Sequence, residues 1–576
     1  MTHDRPMTHD RPAWASRAWP WAVVVGAALF GLSAIADQAH RLSATYDEVT
    51  YLKIGARWWR TGEQAAITRM GSPLSFWKIQ QAPTLWAIDQ FGDRAWIDDP
   101  IAHQAELLPW VRIGGSWIWL VGLGLVAGWA WSWYGDRGMA LAAALFALSP
   151  NLLAHGALAT MELPIVVASM AMVAGFARFL GSGRRRWLWL SASLGGLAFS
   201  CKYTTVLIPP ILALIWAADA WQRRDRSTGL FASIRAITGT VGVGMAEFAA
   251  VMVLANLAVT GFAMLPLSPR SGSHPLLDRQ LNPMLGRWLA AVLERSFPQD
   301  WVGLATQVSH QRNGGPSYLF GERRSTGWWY YYPVTLAVKV PLAFWFLAVA
   351  RIWYRPVNNR RSWLIPVYAG LFLLAAVVGS KRNYGVRYLL PLAPVAIAWV
   401  SALANVKGRL RWVPLAGVVG MALAVGSIYP YELSYFNVLV GGAEGGRRVL
   451  SDSNLDWGQG AKAVAQLQRD QPEFRDLTWF AFGDTDPGHY GVVGKLHLFD
   501  AHRPPADLPR TLTATTRYVA VSASLQWGPW GPERYFQVLD RLTPVRYSAD
   551  KTVAFYRTAD LDRMSSPAIK IGLDPE

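Results

Sequence analysis

Long apolar runs separated by short polar connections dominate the first 430 residues of the chain. A helix needs about 20 mostly apolar residues to cross the roughly 30 Å hydrocarbon core of a bilayer. About eleven segments fit that requirement, which predicts a polytopic α-helical membrane protein. The predicted spans are residues 20–36, 113–134, 138–153, 163–180, 187–201, 203–221, 236–259, 333–353, 363–380, 389–404 and 412–430.

The pattern changes after residue 431, where charged residues become more frequent and apolar runs become short. The runs "LTWFAF" (477–482), "RYVAVSAS" (517–524) and "TVAFYRT" (552–558) predict strands, whereas "AKAVAQLQRD" and "PERYFQVLDRL" predict helices. This mixture predicts a small α/β domain. The predicted organisation is a disordered N-terminus over 1–19, a transmembrane domain over 20–431 and the α/β domain over 432–576.

Composition agrees with a membrane protein. The 576 residues are 52% hydrophobic and 16% charged and include 31 tryptophans, which is too apolar for a soluble protein of this length. The net charge of +17 falls largely in the predicted connections, so we assign it to topology and anionic lipid and not to nucleic-acid binding. The single cysteine, Cys201, excludes an intrachain disulfide and a cysteine metal cluster.

Basic residues predict the orientation, because short loops rich in Lys and Arg stay on the cytoplasmic side. With the N-terminus inside, the larger loops 37–111 and 260–332 and the C-terminal domain face the extracytoplasmic side of the inner or plasma membrane. The basic residues then placed inside are Arg5, Arg11, Arg17, Arg184, Arg185, Arg186, Arg223, Arg224, Arg226, Arg355, Arg360, Arg361, Lys407, Arg409 and Arg411.

Ionisable residues at the outer ends of the predicted spans are candidates for function, because a charge at mid-bilayer costs about 2.5–3.5 kcal/mol. They are Asp47, Glu48, His155, Glu162, Lys202, Lys381, Arg382 and Arg387. All of them are predicted on the same face of the membrane. Carboxylates and cations gathered there would suit a reaction that deprotonates a hydroxyl and stabilises a phosphate leaving group.

Structural roles are the alternative for each candidate. Thr45 and Glu48 fit a helix capping box. His155 could be a packed polar residue, and Glu162 could favour the positive end of its helix. Lys202 could extend to the lipid headgroups, and the basic loop "KRNYGVR" could bind lipid phosphates nonspecifically.

Five segments in order resemble the GT-C glycosyltransferases that use polyprenyl-phosphate sugars, in particular the protein O-mannosyltransferase and aminoarabinose transferase group. The segments are "YDEVTYLKIGARWWRTGE", "SFWKIQQAP", "LSPNLLAHGALATMELP", "GLAFSCKYT" and "YGVRYLLPLAP". The resemblance extends over most of residues 20–430. It implies a GT-C-type fold in which Asp47 matches the acidic residue proposed as catalytic base, with Glu48 beside it.

The same resemblance assigns other residues. Arg387 and Tyr388 match a basic and aromatic pair near the lipid phosphate, and Lys78 matches a phosphate-binding lysine, although the spacing is expanded and a proline is missing. Glu162 stands where the family usually has Asp. The tail segment "SDSNLDWGQG" resembles one in bacterial relatives with an additional outer domain, and we consider it a candidate for acceptor recognition. Its polar and aromatic residues are Asp452, Asn454, Asp456 and Trp457.

The function implied is the transfer of one sugar from a polyprenyl-phosphate donor to a hydroxyl or amine, with inversion at the anomeric carbon. Asp47, Glu48 and Glu162 would be the catalytic carboxylates. The donor phosphate would be bound by Lys78, Lys202, Lys381, Arg382, Arg387 and Tyr388. A divalent metal could share Glu48, His155 or Glu162. The acceptor could be a protein, a lipid or a glycan.

Two other functions are open from the sequence. Asp484 and Asp486 in "GDTDPG" form a D-x-D pair, which can hold a metal and a nucleotide sugar, but the pair also fits a turn after a strand. A transporter or lipid flippase would place ionisable residues near mid-membrane and show internal repeats. Here the charges lie at the ends of the spans, and the sequence shows no such repeat.

Overall fold

The computed structural model describes residues 13–225, 227, 229–267, 295–354, 363–501, 508, 512, 514–532 and 535–565. The predicted inner residues Arg5, Arg11, Arg226, Arg355, Arg360 and Arg361 lie outside these ranges, as do residues 268–294 of the second predicted outer loop.

Most of the described chain is helical. The helices are α1 (Ala13–Arg41), α2 (Tyr46–Thr61), α3 (Ala65–Arg69), α4 (Ser75–Phe91), α5 (Ala95–Asp98), α6 (Gln104–Gly115), α7 (Trp117–Ala147), α8 (Pro150–Gly156), α9 (Glu162–Ser182), α10 (Arg185–Cys201), α11 (Ile208–Arg223), α12 (Leu230–Thr260), α13 (Gln299–Asn313), α14 (Tyr331–Lys339), α15 (Leu342–Trp353), α16 (Leu364–Gly379), α17 (Leu392–Val400), α18 (Val413–Gly426), α19 (Gly442–Gly446), α20 (Ala461–Asp470), α21 (Ala523–Gln526) and α22 (Thr558–Ser565).

The strands are short and concentrate near the C-terminus. They are β1 (Met264–Pro266), β2 (Ser296–Pro298), β3 (Ser317–Leu319), β4 (Glu322–Arg324), β5 (Leu477–Phe482), β6 (Lys495–Phe499), β7 (Tyr518–Ser522), β8 (Arg546–Tyr547) and β9 (Val553–Arg557).

Six helical segments of the described residues are long and apolar enough to cross a membrane, or seven if the bent pair α14 and α15 counts as one span. The six are Ala18–Arg41, Gln104–Ala147, Glu162–Ser182, Tyr203–Arg223, Leu230–Thr260 and Gly408–Gly426. A polytopic helical architecture is therefore confirmed, but the predicted count of about eleven spans is not. Each remaining predicted span still coincides with helix. The helices α10, α16 and α17 are shorter than a full crossing, and α14 meets α15 at an angle of 105°.

The predicted division near residue 135 is visible as a break inside α7. Gly135 has φ 70° and ψ −164°, which is not helical, so the helical path is interrupted there. Glycine tolerates this positive φ without a Cβ clash. The break falls between the predicted spans 113–134 and 138–153.

Close packing of small residues joins the central helices. Helix α10 packs against α9 and α12, and the Ser191 hydroxyl donates to the Met172 carbonyl at 2.7 Å. A Cβ on Gly196 would lie 2.5 Å from the Met252 carbonyl oxygen, so only glycine permits this approach. Small residues at such contacts are typical of helix packing in membranes.

The C-terminal domain is built on a five-stranded mixed sheet with the order β6-β5-β7-β9-β8. Strand β5 pairs in parallel with β6 and β7, while β9 is antiparallel to β7 and β8. Every residue of β5 and β7 is buried, as expected for central strands covered on both faces. The predicted α/β domain is therefore present.

Two local predictions in this domain need correction. The helix predicted over 532–542 is reduced, within the described residues, to a 3₁₀ turn at Gln537–Arg541. The turn buries Phe536 and Leu539 against the sheet, so their spacing reflects packing and not a long helix. Strands β6 and β8 form the two edges of the sheet and have no counterpart among the predicted strands, and β8 has only two residues.

The C-terminal domain docks onto the segment between α1 and α2. The Tyr46 amide donates to the Trp457 carbonyl at 2.8 Å, and the Ser43 amide donates to the Gln459 carbonyl at 3.2 Å. The Tyr490 hydroxyl accepts from the Ala44 amide at 2.9 Å. These bonds fix the start of α2, which is the helix that carries Asp47.

Candidate functional site

A cavity of about 890 Å³ lies where the start of α2, the start of α9, α13, the end of α16 and the C-terminal domain meet. Nine of the residues singled out from the sequence line it: Asp47, Glu162, Lys202, Lys381, Arg382, Arg387, Tyr388, Asp452 and Trp457. Distant segments of the chain thus converge on one space. Glu48, Lys78, His155, Asn454 and Asp456 are not part of its lining.

Asp47 lies in the first turn of α2, where a carboxylate is favoured by the positive end of the helix. The predicted cap is present, since Glu48 reaches back to accept from the Thr45 amide at 3.0 Å. Glu48 is engaged in this cap. The Asp47 carboxylate instead faces the cavity, and the Asp47 side chain is 30% exposed.

Arg387 joins the two carboxylates of the cavity. It belongs to a 3₁₀ turn, Val386–Tyr388, and its Nη1 lies 2.8 Å from Asp47 Oδ2 and 3.6 Å from Glu162 Oε1. Its Nε donates to the Tyr384 carbonyl at 3.1 Å, and its guanidinium stands 4.4 Å from the centre of the Trp457 ring. The side chain is therefore held on several sides in one orientation.

Glu162 and Lys202 extend this arrangement. Glu162 opens α9, and its Oε1 lies 3.2 Å from the Nζ of Lys202, which follows the last residue of α10. Lys202 Nζ also stands 4.5 Å above the Tyr388 ring. Acid and base alternate in the order Asp47, Arg387, Glu162 and Lys202, so neither cation lacks a carboxylate.

The surroundings alter the acidity of the groups outside the spans. Burial raises the pKa of Asp47, and the charge of Glu162 adds to this effect, while Arg387 opposes it. Burial alone would lower the pKa of Arg387, but Asp47 and Glu162 outweigh burial and raise it. Asp47 is therefore a stronger base than an exposed aspartate, and Arg387 stays charged.

Glu48 is buried away from the cavity in a complete set of hydrogen bonds. It is fully buried and pairs with Arg112, whose Nη2 and Nε lie 2.7 Å and 2.9 Å from the two carboxylate oxygens. The Ala159 amide donates to the same carboxylate at 2.9 Å. Burial tends to raise the pKa of Glu48, but the ion pair with Arg112 lowers it further, so the net pKa is below the usual value.

Arg112 was missed by the sequence reasoning. Besides Glu48 it binds the carbonyls of Ala39, Leu42 and Ser43 at 2.8 Å to 3.2 Å, so it ties the end of α1 to the start of α2. A signal was present, since Arg112 lies among apolar residues at the start of a predicted span. A charge placed there requires a buried partner.

Lys381 and Arg382 line the cavity but contact backbone groups and not the central carboxylates. Lys381 Nζ donates to the Arg312 carbonyl at 3.4 Å, and Arg382 Nε donates to the Gly314 carbonyl at 2.9 Å. The lining also includes Arg312 itself. Cations of the second predicted outer loop and of the loop after α16 therefore meet at this end of the cavity.

Lys78 lies elsewhere. It is in the first turn of α4, where it donates to the Gln64 side chain and stands 5.5 Å from the centre of the Trp58 ring. Burial lowers its pKa. The helix directs Lys78 toward α2 and the start of α3, and this direction could not be read from the segment "WKIQQAP" alone.

The tail segment 451–460 divides into two roles. Asp452 and Trp457 line the cavity, whereas Asn454 and Asp456 make structural bonds. Asn454 Oδ1 accepts from the Val386 amide at 3.0 Å, next to Arg387. Asp456 Oδ2 accepts from the Ser524 amide at 2.8 Å and so holds the segment against the sheet domain.

The residues suggested as metal ligands are Glu48, His155 and Glu162, and the first two lie outside the lining of the cavity. Both carboxylate oxygens of Glu48 already accept hydrogen bonds, from Arg112, Thr45 and Ala159. His155 is buried beside Trp457, and burial lowers its pKa to about 3. Among the described residues, no group of three or more His, Cys, Asp or Glu side chains is arranged to hold a metal ion. The metal suggested from the sequence therefore stays a prediction.

The D-x-D pair, Asp484 and Asp486, lies in a turn after a strand, which is one of the two interpretations that the sequence allows. Strand β5 ends at Phe482, and Asp486 caps the following 3₁₀ turn by accepting from the Gly488 amide at 2.8 Å. Asp484 lies 3.9 Å from Lys53. Asp486 therefore caps a turn, and Asp484 faces a lysine of α2.

Comparison with known proteins finds similarity to glycosyltransferases. Residues 111–238 match the family described as dolichyl-phosphate-mannose-protein mannosyltransferase. Two solved structures are similar over 94% of this chain and 98% of theirs: ArnT from Cupriavidus metallidurans bound to undecaprenyl phosphate, with 14% identity and a TM-score of 0.46, and the same protein in the apo state, with 12% identity and a TM-score of 0.44. No curated protein matches the sequence.

The family match covers α7 to α12 in part and includes Glu162 and Lys202. It confirms the resemblance to the mannosyltransferase group that the sequence motifs predict, and with it the prediction that the chain is a glycosyltransferase.

Proposed function

We propose that this protein transfers a single sugar from a polyprenyl-phosphate donor to an acceptor hydroxyl or amine. The observation that carries the proposal is the alternation of Asp47, Arg387, Glu162 and Lys202 along one cavity. A carboxylate that could act as a base and two cations that could bind a phosphate therefore line the same cavity. The family match to a mannosyltransferase that uses dolichyl phosphate supports this class of donor.

Asp47 would act as the base. The acceptor oxygen or nitrogen attacks C1 of the sugar, its proton passes to Asp47, and the bond between C1 and the phosphate oxygen breaks. Attack from the face opposite the phosphate inverts the configuration at C1. The raised pKa of Asp47 suits this role, because a stronger base accepts the proton more readily.

Arg387 and Lys202 would stabilise the negative charge that grows on the departing phosphate. Both side chains are about 10% exposed and are already oriented, so little reorganisation is needed during the reaction. Glu162 would set the position of both cations, and Tyr388 would hold Lys202. Glu48 would support Asp47 by fixing the first turn of α2 and would not touch the substrate.

The membrane placement follows from the charge pattern. The N-terminus would be cytoplasmic, and the cavity and the C-terminal domain would face the extracytoplasmic side of the inner or plasma membrane. The lipid chain would lie along the apolar side of the cavity, which includes Val206, Phe372 and Val378. The acceptor would be a protein, lipid or glycan.

Transport is the other function considered. It is less well supported, because the paired charges lie at the ends of helices and in connecting turns, whereas transporters hold such groups near mid-membrane at broken helices.

Lipid-linked sugars of cells that express the wild type or Asp47→Asn would test the proposal. The donor is expected to accumulate in Asp47→Asn cells and not with Asp98→Asn, which changes a 60% exposed carboxylate of the same loop. Equal membrane levels of the variants are the control for insertion. Unchanged lipid-linked sugars in Asp47→Asn cells would contradict the proposal.

A further inference from the structure

A second cavity of about 1460 Å³ lies at the other end of the helix bundle, and we call it the distal cavity. Its lining comes mainly from the middle of α7, the C-terminal parts of α9 and α11 and the start of α16. Helices α9 and α16 also reach the first cavity, but with their opposite ends, where Glu162 begins α9 and Gly379 ends α16. The two cavities are therefore separated along shared helices.

The lining of the distal cavity combines aliphatic residues with tryptophans. The aliphatic side chains come from α7, α9 and α11 and include Leu125, Val173, Leu180, Leu212 and Ile215. Tryptophans are enriched at the level where the hydrocarbon of a bilayer meets the lipid headgroups. The distal cavity thus extends from an apolar interior to the interfacial level of the membrane. Its five tryptophans are Trp129, Trp131, Trp133, Trp187 and Trp363.

Two arginines and one aspartate are the charged residues of this lining. Arg223 pairs with Asp219 and donates to the Leu180 carbonyl at 3.0 Å. Arg178 pairs with no carboxylate among the described residues, and its guanidinium stands 5.0 Å from the centre of the Trp187 ring. Arg186 stands 5.5 Å from the centre of the same ring. The distal cavity is therefore cationic at its tryptophan-lined edge.

A buried hydroxyl in the lining lacks a partner. Tyr368, in the second turn of α16, is 2% exposed, and its hydroxyl has no hydrogen-bond partner within the part of the chain that the structure describes. A buried polar group without a partner is unfavourable. An acceptor oxygen on a molecule in the distal cavity would satisfy this hydroxyl.

Helix α7 leaves open space along the distal cavity. Gly124 and Gly128 both line it, and a Cβ added to either would have no atom within 4 Å. By contrast, a Cβ on Gly122 would lie 3.0 Å from atoms of Phe146 and Val167. Because hydrocarbon is the medium around membrane spans, the open face of α7 has room for an acyl chain.

We propose that the distal cavity binds one anionic glycerophospholipid from the leaflet opposite the first cavity. Its phosphate would lie beside Arg178, its acyl chains along Gly124 and Gly128, and an ester oxygen would accept from the Tyr368 hydroxyl. Cationic pockets between spans at one face of the membrane suit anionic headgroups. A zwitterionic headgroup is disfavoured, because its own cation would be repelled by the arginines.

This lipid is distinct from the proposed sugar donor. Arg178 lies about 24 Å from Glu162 along α9, at about 1.5 Å per residue, so one phosphate cannot occupy both sites. Binding at the distal cavity is therefore independent of sugar transfer, and Asp47→Asn should bind the lipid as the wild type does.

Native mass spectrometry of the full chain, released from detergent micelles, tests the site. The probes are dioleoyl phosphatidylglycerol, which is anionic, and dioleoyl phosphatidylcholine, which has the same chains and a zwitterionic headgroup. We expect one phosphatidylglycerol to bind the wild type about fivefold or more tightly than phosphatidylcholine. Glycerol 3-phosphate, which has no chains, should not compete.

Two variants separate the headgroup from the chains. Arg178→Gln should weaken phosphatidylglycerol binding about fivefold and leave phosphatidylcholine binding unchanged. Gly128→Leu should weaken both lipids, because the new side chain would enter the open space of the distal cavity. The matched controls are Arg235→Gln and Gly242→Leu, which change exposed residues of α12 outside the lining and should bind as the wild type does.

Several results would overturn the site. Equal affinity of the wild type for the two lipids, or phosphatidylglycerol binding unchanged in both Arg178→Gln and Gly128→Leu, would exclude it. Displacement of phosphatidylglycerol by undecaprenyl phosphate would assign the distal cavity to the donor chain, and displacement by glycerol 3-phosphate would assign it to a soluble anion. A dimer that Gly128→Leu dissociates would assign it to a second copy of the chain. Thermal unfolding of each variant shows whether lost binding reflects lost folding.

Discussion

The Arg387 guanidinium lies 2.8 Å from the Asp47 carboxylate, although 340 residues separate them in the sequence. The same guanidinium nitrogen is 3.6 Å from Glu162. Arg387 therefore fixes the distance between the proposed base and the second carboxylate, and it opposes the rise in the pKa of Asp47 that burial causes.

Arg387→Lys should lower sugar transfer by about 100-fold, because lysine cannot reproduce the planar geometry that meets two carboxylates and a backbone carbonyl. Initial rates at saturating donor would measure the effect. Arg57→Lys is the matched control, because Arg57 is 65% exposed and its partner is Glu63. A near wild-type rate for Arg387→Lys would mean that only its charge matters.

Lys202 and Lys78 should differ in their effects, although the sequence resemblance assigns both to the donor phosphate. Lys202→Met should lower transfer by about 100-fold or more, because Lys202 lines the cavity beside Glu162. Lys78→Met should retain most of the activity, because Lys78 contacts Gln64 and Trp58. Equal loss in both variants, measured as donor consumption, would show that α4 turns toward the cavity during the reaction.

Glu48→Gln should reduce stability more than it reduces the activity of the folded fraction. Breaking a buried ion pair costs about 3–5 kcal/mol, because the remaining charge stays buried without its partner. The measurement is thermal unfolding together with activity per folded molecule, and Asp98→Asn serves as the exposed control. A stable but inactive Glu48→Gln protein would instead place Glu48 in the chemistry.

Stability should fall as the pH rises from about 5 to 8. Burial raises the pKa of Asp456 and of Glu432 to about 7 and that of Asp452 to about 6. In the unfolded chain these carboxyls have pKa values of about 4. The folded state therefore binds more protons than the unfolded state between about pH 4 and pH 7. Their protonated forms therefore stabilise the fold fully below about pH 4, and this contribution is lost as the pH passes their folded pKa values.

Thermal unfolding at pH 5.5 and pH 8.0 would check this dependence. The wild type should unfold at least about 2 °C higher at pH 5.5. The double variant Glu432→Gln and Asp456→Asn should show a smaller difference, since both substitutions remove a titrating carboxyl but keep its size. A wild type that is more stable at pH 8.0 would contradict the prediction.

The sequence by itself determined the local features. Apolar runs predict helices because backbone polar groups must be satisfied inside a bilayer, and each predicted span coincides with helix. Strand β5 matches its predicted range of 477–482, and α20 matches 461–470, because periodicity and flanking turns act within one segment. The charges near span ends include most of the charged residues that line the cavity, because the cost of burying a charge can be judged from the local sequence.

Only the tertiary structure decided which of these residues act together. Asp47 and Glu48 are adjacent, yet one faces the cavity and the other binds Arg112, because successive residues of a helix point in different directions. The stacked rings of Tyr46, Phe482 and Trp530 come from three distant segments, none of which has a distinctive neighbouring pattern. Such contacts depend on how the C-terminal domain docks on the helices, and docking is set by packing between segments that no local pattern encodes.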